Sequence, residues 1–118
     1  MTPITQVENI PLLEGRSVRV GELDLAIFNL GDRFAAIENK CPHRGGPLCD
    51  GIVSGTVVVC PLHGWRFDLN TGMPVRASAP DCVATFPARV QDGIVFVDLT
   101  ARTVEQASAS NGDFSPRV

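Results

Sequence analysis

The chain has two histidines, and each stands beside a cysteine at metal-ligand spacing: Cys41-Pro42-His43 and Cys60-Pro61-Leu62-His63. Sixteen residues separate His43 from Cys60, so the two pairs belong to separate loops that can close on one object from opposite sides. If a single centre takes all four donors, the fold must bring those loops together. Each loop contributes one thiolate and one imidazole, a split that suits a dinuclear iron–sulfur centre with two sulfur ligands on one iron and two nitrogen ligands on the other. A tetrahedral zinc accepts the same set. Common structural zinc modules, however, place paired cysteines before paired histidines, whereas the two types alternate here.

A chain of 118 residues has room for one domain with its own core. Hydrophobic residues make up 44% and charged residues 19%, which is the balance of a folded globular protein. The formal net charge of −3 and the absence of a dense Lys/Arg run give no reason to invoke nucleic acid. No stretch has the apolar length of a membrane-spanning helix, and no membrane partner is expected. Met1-Thr2-Pro3-Ile4-Thr5-Gln6 lacks the sections of a secretion signal, so a cytoplasmic address is the expectation. Of the four cysteines, Cys49 and Cys82 are left over from the two pairs, and both are expected as buried, reduced thiols that fill small apolar spaces.

Turn residues recur about every ten positions, with short runs rich in Val, Ile and Phe between them, which reads as an all-β chain. Ser17 to Val20, Leu23 to Leu30 and Phe34 to Ile37 form successive candidate strands around turns at Gly21-Glu22 and Gly31-Asp32. Arg89-Val90-Gln91 and Ile94-Val95-Phe96-Val97 flank Asp92-Gly93, a pair that tolerates positive φ and predicts a tight hairpin. Thr56 to Cys60 reads as the strand that delivers the second ligand pair, with Arg66 to Leu69 and Met73 to Val75 straddling an Asn70-Thr71-Gly72 turn. After Leu99 the chain is poor in large apolar groups, and residues 101–118 are expected as a flexible tail.

Cys41-Pro42-His43-Arg44-Gly45-Gly46-Pro47-Leu48 and Cys60-Pro61-Leu62-His63-Gly64-Trp65 resemble the two cluster-binding boxes of the Rieske [2Fe–2S] family. Phe67-Asp68 with Thr71-Gly72 extends the likeness past the second box, so motif similarity runs over residues 38–75. The resemblance implies one Rieske-type [2Fe–2S] cluster held by Cys41, His43, Cys60 and His63. It also implies an antiparallel β-sandwich base, drawn from residues 6–38 and 82–99, carrying a small hairpin-rich cluster-binding lobe at about 39–76, all within a single domain over 1–100.

Two imidazoles in place of thiolates make such a site less negative and raise its potential above that of all-cysteine clusters. High-potential members carry an extra cysteine pair joining the loops and hydroxyls that donate to the cluster; the matching positions here are Gly46, Leu62, Trp65 and Phe67, which implies a low-potential member. Pro42, Pro47 and Pro61 stiffen the two loops, and Gly45 and Gly46 allow close backbone approach. Lys40, Arg44 and Arg66 place a basic collar beside the ligands, and Trp65 is a candidate shield against water.

The chain lacks a Gly-x-Gly-x-x-Gly fingerprint, and both histidines are used by the cluster, so a mononuclear 2-His-1-carboxylate iron site cannot be built as well. The expected role is therefore one-electron relay, with no catalytic residues of its own. Chain length, Arg44-Gly45-Gly46-Pro47-Leu48 and the close Phe86-Pro87-Ala88-Arg89-Val90 then Asp92-Gly93 resemble the small subunit of assimilatory NAD(P)H nitrite reductase, whose partner is the large subunit. The second reading is a Rieske ferredoxin passing electrons from a flavin-containing reductase to a ring-hydroxylating dioxygenase. A structural zinc or cluster-free interaction module is the reading from another class.

Overall fold

The computed structural model describes residues 1–41, 46–61, 64–75 and 82–104, and among these there is no α-helix. Among the described residues ten strands fall into three antiparallel sheets: β1 (Thr2–Gln6), β10 (Ile94–Val97) and β9 (Ala88–Gln91) form one, in that order. A central four-stranded sheet runs β2 (Gly15–Val20), β3 (Leu23–Asn29), β4 (Phe34–Glu38) and β8 (Thr85–Phe86). The third is β5 (Ile52–Ser54), β6 (Val57–Val59) and β7 (Arg66–Asp68).

The unbroken apolar run Leu25-Ala26-Ile27-Phe28 explains why the second sheet lies in the middle. All four side chains are buried, and because a strand turns alternate residues to opposite faces they feed two different cores. Leu25 and Ile27, with Ala36 and Phe86, pack against Val95 and Val97 of the first sheet and against Ile10. Ala26 and Phe28, with Ala35 and Ile37, pack instead against Leu48, Val53, Val58, Phe67 and Leu69. The first core is the sandwich base; the second roots the ligand-bearing lobe on the back of the same sheet.

The Asp92-Gly93 hairpin forms as its sequence dictates: Asp92 has φ 54° and Gly93 φ 77°, and Gln91 pairs with Ile94 across a two-residue turn. The expected strands at 17–20, 23–30, 34–37 and 94–97 are present within a residue or two at their ends. Three elements differ from expectation. β1 lies, but for Gln6, before the span assigned to the base; it is an edge strand, with Pro3 and an irregularity between Pro3 and Thr5, and it lacks the Val/Ile density that marks an interior strand. Met73 to Val75 makes no strand and contributes an isolated bridge between Pro74 and Phe67. Within the segment expected as tail, Thr103 exchanges two backbone hydrogen bonds with Thr85, at 2.8 and 2.9 Å. Residues 105–118 of that tail lie outside the described residues.

Candidate metal centre

The first ligand loop leaves β4 at Glu38, passes Cys41 and returns through a 3-10 turn at Leu48–Asp50. Cys41 is 1% exposed, and its N–H donates to the Gly46 carbonyl at 2.8 Å, closing the loop across the intervening residues. The second leaves β6 at Val59: Cys60 is 2% exposed, and its N–H donates to the Trp65 carbonyl at 2.6 Å, while Gly64 N–H donates back to the Cys60 carbonyl at 3.0 Å. Each cysteine therefore stands at the mouth of a closed loop, and both belong to the apolar cluster that roots the lobe. Pro42, His43, Arg44, Gly45, Leu62 and His63 lie outside the described residues, so the structure places the two thiols of the expected ligand set and not the two imidazoles.

Two buried thiols from separate loops, both in one apolar cluster, fit an iron–sulfur centre. A cysteine binds metal as thiolate, and two sulfur donors set in one apolar cluster are what such a centre takes from the protein. Cys49 differs from both. It is half-buried rather than the fully buried filler expected, and burial, with the Asp50 carboxylate 3.7 Å away, pushes its thiol up from its ordinary range, so it stays protonated at neutral pH. Cys82 is likewise half-buried, at the start of the segment leading to β8.

Around the thiols the environment is apolar. The half-buried Trp65 ring stacks on the buried Phe67 ring at 6.4 Å between centroids and 27° between planes, which serves packing of the lobe and covers its core. Gly46 is buried and Phe67 fully so, leaving no hydroxyl at either position. Lys40 and Arg66 are exposed beside the two cysteines and make no ion pair among the described residues; Arg44, the third member of the expected collar, is outside them.

Sequence reasoning passed over Asn39, a buried polar side chain two residues before Cys41. The available signal was its position: an asparagine where an apolar strand gives way to a loop is well suited to bond neighbouring backbone.

The family model described as Rieske [2Fe–2S] domain matches residues 1–87. Ferredoxin CarAc of Metapseudomonas resinovorans is 38% identical over 79 residues, covering 67% of this chain and 74% of that protein. A solved complex of reduced oxygenase and oxidized ferredoxin in carbazole 1,9a-dioxygenase contains a chain that superposes with a TM-score of 0.74 at 33% identity, covering 81% of this chain and 99% of that one. A protein described as an NADH-dependent nitrite reductase small subunit, from Mycobacterium tuberculosis, superposes with a TM-score of 0.73 at 26% identity, covering 81% and 91%. Buried cysteines from two loops in one apolar cluster, a sandwich base and a family match across 1–87 converge, and this chain belongs to the Rieske [2Fe–2S] family, with one cluster of that type and one-electron transfer as its activity.

Proposed function

We propose that this chain is a Rieske ferredoxin that takes single electrons from a flavin-containing reductase and delivers them to a terminal ring-hydroxylating dioxygenase. The observation that carries this reading is the 38% identity to a protein named as a ferredoxin, together with the likeness to the ferredoxin of a dioxygenase complex. In this reading Cys41 and Cys60 bind one iron as thiolates and His43 and His63 bind the other as neutral imidazoles. The chemistry that the cluster supplies when bound is a one-electron couple. The protein's part is to hold the four donors, to exclude water on the lobe side with Leu48, Phe67 and Trp65, and to keep both loops from rearranging as charge changes. Using two cysteines as thiolates suits a reducing compartment, which favours the cytoplasm.

The second reading, nitrite reductase small subunit, is supported by the likeness at TM-score 0.73 and by the Phe86-Pro87-Ala88-Arg89-Val90 and Asp92-Gly93 close. The two separate in one assay. Holoprotein reduced by NADH through a flavin reductase should pass electrons in single turnover to a dioxygenase and should not restore NAD(P)H-dependent nitrite reduction to a nitrite reductase large subunit. The reverse pattern would establish the second reading.

Potential gives an independent check on the site. With glycine, tryptophan and phenylalanine at 46, 65 and 67, no hydroxyl donates to the cluster from those positions, and the midpoint is expected toward the ~−150 mV end of the Rieske range. A redox titration giving a midpoint above ~+100 mV would contradict it.

A further inference from the structure

Asn39 is the buried polar side chain among the described residues, 8% exposed, and its amide is used from both ends. Its Oδ1 accepts the Cys49 N–H at 2.8 Å, while its Nδ2 faces both carboxylate oxygens of Asp24 at 3.4 Å each. Its backbone N–H donates to the Asp24 carbonyl at 2.8 Å, continuing the β3–β4 ladder by one step. Because a backbone N–H can only donate, the Cys49 contact fixes which end of the amide is oxygen, and the carboxylate then meets the nitrogen.

The geometry matters because of where these partners lie along the chain. Asn39 precedes the first ligand loop and Cys49 follows it, so one side chain ties entry to exit, outside the inner Cys41 to Gly46 closure. The exit is also backed from the other side. A Cβ placed on Gly15 would lie 2.9 Å from the Cys49 carbonyl oxygen and 2.6 Å from the Phe28 ring, so β2 packs directly against the 3-10 turn.

We infer that Asn39 is a positioning residue that holds the first ligand loop closed around the cluster, with the Asp24 carboxylate orienting its amide. The inference rests on Cys41 and His43 being ligands. No other side chain of this size meets the demand, which is for one acceptor and one donor on the same carbon. Alanine would leave the Cys49 N–H without its acceptor in a partly buried place, and aspartate would keep that acceptor but set two carboxylates face to face.

The test compares holoprotein with Asn39→Ala, with Asn39→Asp, and with the double variant Asp24→Asn/Asn39→Asp, in which donor and acceptor trade places across the same contact. Each is challenged with excess iron chelator well below its unfolding transition, and loss of the visible absorption of the cluster is followed in time. Outer-shell partners of metal ligands typically govern 10- to 100-fold effects, so release should be at least ~10-fold faster in both single variants and return to within about threefold of the starting protein in the double variant. Hydrogen exchange at the Cys49 amide should follow the same ranking. A purely structural polar group would lower the unfolding midpoint without ordering release rates in this way. If Asn39→Ala does not accumulate in folded form, Asn39→Asp and the double variant, which keep the side-chain shape, decide the matter. Equal release from the starting protein and Asn39→Asp, or a double variant no better than the single, overturns the inference. Starting protein that binds no iron and sulfide would instead overturn the reading of the ligands.

Discussion

Alanine at Cys41 or at Cys60 is expected to abolish cluster incorporation while leaving the sandwich base folded. Both thiols belong to the lobe core, at 1% and 2% exposure, and the expected chemistry assigns both to the same iron, so either substitution halves its protein ligands. The base core is built from Leu25, Ile27, Ala36, Phe86, Val95, Val97 and Ile10, none of which lies in the ligand loops. Loss of one buried sulfur removes little packing volume, on the order of 1 kcal/mol by the cavity relation, which is small beside the ~5–15 kcal/mol of an ordinary domain. Purified variants should therefore be colourless and free of bound iron yet retain a β-type circular dichroism spectrum. Iron content equal to that of the unsubstituted chain would remove that cysteine from the ligand set.

Valine at Gly72 should disable the lobe by a different route. Gly72 has φ 77°, where a β-branched residue is a strong outlier, and a Cβ there would overlap the carbonyl oxygen of Val83. That contact is a junction: Val83 N–H donates to the Gly72 carbonyl at 2.7 Å, and the adjoining Ala84 carbonyl accepts Glu38 N–H at 2.9 Å, so residues 83 and 84 bridge the lobe to the central sheet. The conformational part costs about 1–2 kcal/mol and loss of the hydrogen bond about 1 kcal/mol, before any displacement of backbone is counted. Gly55 is the control, because its φ of 62° is similar but a Cβ there meets nothing within 4 Å. Denaturant titration should show Gly72→Val losing about 3 kcal/mol or more and binding cluster poorly, with Gly55→Val losing only the conformational part. Equal losses at the two positions would show that the junction is not what holds the lobe.

What could be read from the residues was what local chemistry decides. Asp92-Gly93 specifies its hairpin because both positions accept positive φ, and Leu25-Ala26-Ile27-Phe28 specifies a strand because only burial on both faces accommodates four consecutive apolar side chains. The cysteine–histidine pairing marked the metal-binding residues, and the likeness of the surrounding boxes to the Rieske family, rather than the donor count that zinc would also accept, pointed to the cofactor. Elements set by tertiary pairing were not legible. β5 and β8 are three and two residues long, and β1 is polar with an early proline; each is a strand only because a neighbour offers it a ladder. Cys49 was misjudged for the same reason. The 3-10 turn that carries it is placed against β2, where a Cβ on Gly15 would lie 2.9 Å from the Cys49 carbonyl oxygen, a contact between residues far apart in the chain.

A unit of two irons and two inorganic sulfides held by the two loops is the central expectation, and anaerobically purified chain tests it in one preparation. Iron and acid-labile sulfide should each be found at about two per chain, and reduction should bring up a rhombic paramagnetic signal from a protein that is red-brown when oxidised. Zinc at about one per chain, with no sulfide and no signal on reduction, would contradict it.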